Sequence, residues 1–289
     1  MNRTTLICLL GLLLVACKKE KQEDELPKNY ILVEQEGIFV ESFADSITDP
    51  NRYTANNEVY KDGRSFRYSF KHKTAGNKIQ YFKKLIDDTG SLPGWTFIDS
   101  DKKDSTTVEE VIIKVKYGLE PFIQHMPDYN QTLVSYDYPI EAKERNYGSI
   151  SGAIENEKNV WIHPPRDMYF EILELNPFPF IMAPYEVGTS WTWSLGIGDI
   201  WSDPRWMSWE GGIENQYQYQ IVDQKKVETS LGKLECFIVE ATAESRLGTT
   251  GLRALFNEDF GFVRLTYSNI DESKTILELI EVIEPESIN

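Results

Sequence analysis

The chain has 289 residues, of which 41% are hydrophobic and 26% are charged, and its formal net charge is −16. A surface this acidic repels phosphate backbones, so we expect no nucleic-acid partner. The chain is long enough to bury about 70–75% of the surface that its unfolded form exposes, so an apolar core can stabilise it without disulfides.

The first sixteen residues have the layout of an export signal. Arg3 supplies a positive start, residues 6–15 are apolar, and the small Ala16 precedes Cys17. About ten apolar residues are too few to span a bilayer, which needs about twenty. With Leu14 three residues before the cysteine, the segment resembles a bacterial lipoprotein signal peptide. The resemblance implies cleavage after residue 16 and attachment of acyl chains such as palmitate to Cys17.

Residues 17–27 are predicted to form the lipidated end and a disordered tether. Residues 18–27 read KKEKQEDELP, a charged run without aromatic or β-branched residues. Two or three acyl chains on Cys17 would hold the protein at a membrane, since each buried methylene adds about 0.8 kcal/mol. Lys18 differs from the aspartate typical of inner-membrane retention, and the acidic run resembles the export tags of surface lipoproteins in Bacteroidota. We therefore expect a lipid-anchored protein of the outer membrane, on either its periplasmic or its outer face.

Residues 28–289 are predicted to form a single elongated domain that is mainly β. Short alternating runs of aromatic and β-branched residues, separated by turn signals, are typical of antiparallel strands. They lie at residues 30–43, 65–72, 106–117, 131–138, 148–155, 159–162, 191–193, 217–221, 234–241, 252–256 and 262–267. This spacing predicts a curved antiparallel sheet, a half-barrel-like meander, with one or two short helices. The polar run 141–146 is the one plausible domain boundary and fits a hairpin turn equally well.

Four segments are less regular. Apolar residues recur with helical spacing in residues 79–86, and Gly90 follows, so a short helix is predicted there. Residues 167–175 are a candidate for a second helix. Residues 275–284 fit a helix or a strand, and we favour a strand because the preceding hairpin leaves it a partner. The Pro-rich apolar run 176–184 is either a connection packed on the core or part of an apolar mouth.

Motifs for catalysis and metal binding are missing from the sequence. The histidines, His72, His125 and His163, are isolated, no cysteine pair has metal-ligand spacing, and no nucleophile motif has its expected order. After maturation Cys236 is the remaining thiol, and its apolar context predicts a buried strand position. We expect no metal, no cofactor and no catalytic residue, although the sequence leaves open whether the protein is an enzyme.

Five of the seven tryptophans fall between residues 191 and 209. Trp191 and Trp193 alternate along a strand, which predicts core positions. Trp201, Trp206 and Trp209 lie among Gly, Asp and Pro residues, a composition typical of a surface loop. Either these three indoles form a ligand platform, or the loop covers the open end of the sheet.

Two parts of the chain resemble known groups of proteins. Residues 228–236 and 256–263 read as a strand, a glycine turn, a strand and an F-x-x-x-x-G-F-V hairpin. This pattern resembles the DUF3108-like group of uncharacterised bacterial envelope proteins over residues 185–285, which implies a curved half-barrel sheet. Residues 155–210, with WIHPPR at 161–166, resemble uncharacterised lipoproteins of Bacteroidota. Neither resemblance implies a catalytic residue.

Three functions fit these patterns. The leading hypothesis is a non-catalytic, lipid-anchored module that binds or assembles a lipid, a glycan or an envelope protein through a concave apolar face near the indoles. The second is a surface glycoside hydrolase that uses Glu210 or Glu214, because such enzymes place two carboxyl groups about 5–10 Å apart across a cleft. The third is a purely structural component of the envelope.

Overall fold

The computed structural model describes residues 28–85, 94–119, 126, 129–141 and 147–285. The described residues are mainly β, as the alternating runs predict. The strands are β1 (Tyr30–Gln35), β2 (Ile38–Phe43), β3 (Ser65–Lys73), β4 (Ile79–Lys84), β5 (Trp95–Asp99), β6 (Thr107–Val108), β7 (Glu110–Val115), β8 (Thr132–Tyr138), β9 (Tyr147–Glu155), β10 (Asn159–Ile162), β11 (Phe180–Met182), β12 (Ser190–Ile197), β13 (Ile213–Thr229), β14 (Gly232–Ser245), β15 (Gly248–Asn257), β16 (Gly261–Ser268) and β17 (Lys274–Ile283). Two short 3-10 helices span Met168–Leu175 and Asp199–Trp201.

One antiparallel sheet contains β3 to β17, and β1 and β2 form a separate hairpin. The strand order is β11-β10-β9-β8-β7-β3-β17-β16-β15-β14-β13-β12, with β4 beside this path pairing with β3, β5 and β6. From β12 to β17, neighbouring strands are consecutive in the chain, which is the predicted meander. β3 joins the two halves of the sheet because it pairs with both β17 and β7.

The sheet curves until its two end strands face each other. Phe180 of β11 lies edge-on to Trp191 of β12, with ring centroids 5.5 Å apart. Trp161 of β10 meets Trp193 of β12 at 6.1 Å. In the described residues β11 pairs only with β10 and β12 only with β13, so side chains alone join the two ends. We call the line between β10–β11 and β12 the seam. The predicted curved antiparallel sheet with short helices is confirmed.

The concave side of the sheet is filled by the chain itself. The 3-10 helix Met168–Leu175, which confirms the second predicted helix, buries Tyr169 and Phe170 completely. The Phe170 ring lies 4.9 Å from that of Phe70 and stacks on Tyr138 at 5.5 Å. A residual interior gap measures about 10 Å³, too small for an organic ligand. A ligand site on this fold must therefore lie outside the filled interior.

Residues 79–84 are a strand and not the helix that their spacing predicts. β4 pairs with β5 from Gln80 opposite Asp99 to Lys84 opposite Trp95, and it also contacts β3. Partners far along the chain thus overrode a local periodicity of apolar residues. The favoured strand at the tail is confirmed, since β17 pairs with both β16 and β3.

Several predictions fall on residues outside the described ranges. These are the signal peptide, Cys17 and its tether, His125, and most of the possible boundary at 141–146. Among the residues that are described, no helix is long and apolar enough to cross a bilayer.

Candidate functional site

A cleft of about 630 Å³ opens along the seam, beside the β1–β2 hairpin. Its volume lies in the range of small-molecule sites, about 300–1,000 Å³. Its lining comes from the hairpin, from the start of β8, and from both sides of the seam. The lining residues are Gln35, Glu36, Ile38, Val40, Asn130, Gln131, Ile154, Trp161, His163, Phe178, Trp193 and Leu195.

A tight turn brings the hairpin to the cleft. Glu36 and Gly37 both have positive φ, 52° and 88°, as a two-residue hairpin turn requires. β2 then presents Ile38 and Val40 to the cleft, and both are buried. The hairpin therefore supplies an aliphatic wall to a site whose other walls belong to the large sheet.

Two asparagines fix the hairpin to the start of β10. The backbone N–H of Phe39 donates to Asn159 Oδ1 at 2.8 Å. The Phe39 carbonyl accepts from Asn156 Nδ2 at 2.8 Å and from Asn159 Nδ2 at 3.2 Å. Asn159 has no exposed surface, so its amide is committed to these contacts. This attachment sets the width of the cleft.

Aromatic rings form the wall of the cleft on the sheet side. Trp193 lies 6.1 Å from Trp161 and 5.3 Å from Phe178, measured between ring centroids. Behind it, Tyr217 stacks on Trp193 at 4.9 Å. The alternating sequence of β12 places Trp193 inward, as predicted, and the curvature of the sheet brings it to Trp161. The result is a rigid apolar surface of large rings.

Amide side chains form a polar end of the cleft. Asn130 Nδ2 donates to Gln35 Oε1 at 2.9 Å, which links the hairpin to the segment before β8. The side chain of Gln131 lies directly over Gly152, in space that a Cβ atom at residue 152 would enter. Among the described lining residues, Glu36 carries the one formal charge apart from the titratable His163. The cleft is therefore apolar with a mostly uncharged polar end.

His163 lines the cleft, and behind it lies the buried side chain of Glu174. His163 Nε2 lies 3.6 Å from Glu174 Oε1, and their side chains are 13% and 5% exposed. Burial raises the pKa of Glu174 to about 7, which nearby Glu171 also favours and Arg166 opposes. Burial lowers the pKa of His163 to about 4, helped by the charge of Arg166 and opposed by the hydrogen bond to Pro164. Both groups therefore favour their uncharged forms.

The Trp-rich loop packs on the core at another place in the fold. Trp206 and Trp209 are each 7% exposed, and Trp201 is half-buried. The Trp206 ring stacks on Trp95 of β5 at 6.1 Å. The guanidinium group of Arg205 also lies over the Trp95 ring, with its Cζ atom 3.6 Å from the ring centroid. These contacts favour the covering role of the loop, and a ligand platform of these indoles stays a prediction.

The other candidate residues are spread over the fold. Glu210 and Glu214 are both exposed. His72 is buried, and its Nδ1 lies 2.7 Å from the Tyr169 hydroxyl. Cys236 is fully buried, which confirms the predicted core position. Within the described ranges, no group of three or more His, Cys, Asp or Glu side chains is placed to hold a metal ion.

The seam cleft could not be predicted from the sequence, although several of its residues lie in runs that the sequence makes conspicuous. Trp161 and His163 lie in the run WIHPPR, and Phe178 lies in the Pro-rich run that was a candidate for an apolar mouth. Trp193 was predicted only as a core residue. The apolar content of these runs was a visible signal, but their meeting depends on the curvature that brings the two ends of the sheet together.

Comparison with solved structures finds distant similarities. The chain is similar to a candidate lipoprotein from Parabacteroides distasonis, with TM-score 0.41, 10% identity, and coverage of 78% of this chain and 97% of that one. It is also similar to a candidate exported protein with a YmcC-like fold from Bacteroides fragilis, with TM-score 0.37, 12% identity, and coverage of 78% of this chain and 98% of that one. A third similar structure is the hypothetical lipoprotein YmcC from Escherichia coli, with TM-score 0.33, 6% identity, and coverage of 83% of this chain and 92% of that one.

No protein-family model and no curated protein matches the sequence. The resemblance to the DUF3108-like group therefore stays an expectation. The similarities to solved structures concern the arrangement of the fold, and they say nothing about a ligand or a reaction.

Proposed function

We propose that this protein is a lipid-anchored, non-catalytic module of the cell envelope that binds an amphipathic ligand in the seam cleft. The observation that carries this proposal is the cleft itself, about 630 Å³ with aromatic rings on one wall and aliphatic side chains on the other. Buried apolar surface contributes about 25 cal/mol per Å², so an apolar chain gains free energy by leaving water for this site.

The predicted anchor supports access to a lipid ligand. Ten extended tether residues span roughly 35 Å, and the first folded element after the tether is β1 of the hairpin beside the cleft. A protein held by Cys17 would keep the start of β1 within that distance of the membrane surface, and the six residues of β1 add about 20 Å to the reach of the cleft. A ligand that leaves the membrane therefore has a short path to the site.

Blocking the cleft tests this proposal. Leu195 is half-buried on β12 and lines the cleft, whereas the neighbouring Ser194 is exposed on the other face. We expect Leu195→Trp to fill the cleft and to weaken binding of 1-decanoylglycerol at least about tenfold, as measured by calorimetry below its micelle concentration. The mature polypeptide from residue 17, made without acyl chains, is the material for the assay.

The matched control is Ser194→Trp, which adds the same indole on the outer face. It should bind the probe as the unmodified chain does, and the two variants should unfold at similar temperatures. Binding that survives Leu195→Trp, or that Ser194→Trp removes equally, would contradict a ligand site in the cleft.

A further inference from the structure

The face of the β1–β2 hairpin that lines the cleft continues outward onto β1. In an antiparallel pair, residues that lie opposite each other point to the same face. Val33 lies opposite Val40, and Gln35 lies opposite Ile38. Ile31 shares the face of Val33 because side chains two residues apart on a strand point the same way. We call the apolar side chains of this face the hairpin stripe: Ile31, Val33, Ile38 and Val40.

The exposure of the hairpin stripe rises from the cleft to the outside. On β2, Ile38 and Val40 are 7% and 3% exposed and line the cleft. On β1, Val33 is 36% exposed and Ile31 is 68% exposed. Single exposed apolar side chains are common and need no partner. Among the described residues, however, Ile31 and Val33 are the one pair of exposed large apolar side chains on a single strand face, and they extend a buried apolar wall.

The chain that precedes the hairpin indicates what covers the exposed part of the stripe. The predicted tether ends at residue 27, four residues before Ile31. With acyl chains on Cys17, its ten residues would keep a bilayer within roughly 35 Å of Lys28. Ile31 follows Lys28 by three residues, so it is the first exposed large apolar side chain after the tether in the described residues. A lipid bilayer is therefore the apolar phase within its reach.

The charges beside the stripe favour one kind of bilayer. Glu34 and Glu36 are exposed near the hairpin turn, and Glu157 lies 2.6 Å from Lys28 at the start of β1. Acidic side chains thus outnumber basic ones here, and anionic headgroups would be repelled. Contact with a zwitterionic lipid surface, driven by burial of apolar side chains, does not meet this repulsion.

We propose that the hairpin stripe is a membrane-contact surface, which holds the hairpin side of the seam cleft against a zwitterionic bilayer. Ile31 and Val33 lie in the interfacial region of the bilayer, and Val40 and Ile38 continue their apolar surface into the cleft. An acyl chain can then move from the bilayer to the cleft along apolar side chains. This inference rests on the function proposed above, because it concerns how a ligand enters the same cleft.

A fluorophore at position 31 tests the contact. Cys236 is buried and Cys17→Ser removes the other thiol of the mature chain, so Ile31→Cys can be labelled selectively with a nitrobenzoxadiazole group. A hexahistidine tag before residue 17 holds this mature polypeptide on phosphatidylcholine vesicles that contain nickel-chelating lipid. The tag takes the place of the acyl chains, so the result does not depend on acylation. Phosphatidylcholine with a nitroxide on its acyl chains is the quencher.

The matched control is a label introduced by Ile200→Cys. Ile200 is 80% exposed on the short helix Asp199–Trp201, which follows β12 and does not belong to the hairpin stripe. We expect the nitroxide lipid to quench the label at position 31 at least about threefold more strongly than the label at position 200, since an interfacial side chain lies at the acyl boundary. Adding Val33→Asp to the Ile31→Cys chain should abolish this difference, because a carboxylate opposes burial of the stripe.

The outcomes separate the inference from the function. Equal quenching at positions 31 and 200 would overturn the inference. So would a label at position 31 that aqueous iodide quenches as fully on vesicles as in solution. Neither result changes the binding of 1-decanoylglycerol to the cleft, which calorimetry measures without a bilayer. Strong quenching at position 31 without binding of 1-decanoylglycerol would support the membrane contact and remove the proposed function.

Discussion

At the scale of single residues, burial decides what the polar groups can do. Glu174 lies on a helix that the sheet encloses, and His163 lies where the seam meets the cleft. Neither residue belongs to a motif, and each would be an ordinary surface residue in a different fold. Burial of both side chains favours the uncharged forms of the pair between about pH 4 and pH 7.

The pair predicts a pH-dependent stability. The pKa of Glu174 is raised from 4.5 to about 7 in the folded chain, so the folded state loses stability relative to the unfolded state as pH rises from 4.5 through 7. The loss amounts to roughly 3 kcal/mol above pH 7. Glu174→Gln should remove it, which urea unfolding between pH 4.5 and 8.5 will show as a flatter profile.

The lowered pKa of His163 acts in the opposite direction, since it costs stability as pH falls from 6.5 towards 4. Arg166, Glu171 and Tyr217 are the charged or titratable neighbours of Glu174, and they stay in the variant. The exposed Glu186→Gln serves as a control and should leave the profile unchanged. A parallel profile for Glu174→Gln would show that the carboxyl group is not buried as described.

Truncation of the indoles separates the roles of the Trp-rich loop. Trp206→Ala should lower the free energy of unfolding by about 3–5 kcal/mol, because it removes a buried ring that stacks on Trp95. Trp201→Ala should cost clearly less, since Trp201 is half-buried. Urea unfolding of both variants measures the difference. Equal small losses would mean that the loop does not cover the core and would favour a platform.

At the scale of elements, pairing partners decide structure more than local periodicity does. β4 shows helical spacing of apolar residues, yet β3, β5 and β6 all pair with it. The β1–β2 hairpin is the opposite case, since a local turn defines it and side chains attach it to β10. Because this hairpin is a two-stranded sheet of its own and shares no strand pairing with the large sheet in the described residues, it is expected to open before the large sheet does.

Removal of one asparagine tests how the hairpin is attached. Asn159→Ala deletes two hydrogen bonds to the Phe39 backbone and should cost about 1–3 kcal/mol. Amide hydrogen exchange should rise in residues 38–43 before it rises in the large sheet. Asn215→Ala, which deletes a buried amide bonded to Leu175 in the interior, is the matched control. It should destabilise the chain without selective exchange in the hairpin, and the reverse pattern would contradict this attachment.

At the scale of the whole molecule, the chain combines a predicted membrane anchor with a sheet whose ends meet at a seam. The interior is filled, and the seam cleft is the open space that we propose for a ligand. The hairpin that borders this space is also the first element of the described residues, and it follows the predicted tether. Anchor and cleft are therefore close along the chain.

The anchor is tested by one substitution. Cys17→Ser removes the acyl acceptor, so we expect no palmitate labelling and a shift of the protein from the membrane to the soluble envelope fraction. Leu195→Trp should be labelled and remain with the membrane, because it leaves the signal intact. A Cys17→Ser protein that still sediments with membranes would show that something other than acyl chains holds it.

Local patterns in the sequence were sufficient for most of the strands, β4 being an exception, because alternation of apolar and polar residues depends only on which face of a strand is buried. The inward positions of Trp191, Trp193 and Cys236 and the strand at the tail all followed from such patterns. The predictions of a signal peptide and of lipidation at Cys17 likewise rest on adjacent residues. These features need no knowledge of distant contacts.

Tertiary structure alone decided where the seam cleft forms. It filled the concave side with the helix of residues 168–175, made a strand of residues 79–84, and brought Trp161 to Trp193 across the seam. It also placed His163 beside Glu174. Each of these results depends on residues that are far apart in the chain, and the curvature of the sheet that joins them is a sum over many strand pairs that no local pattern records.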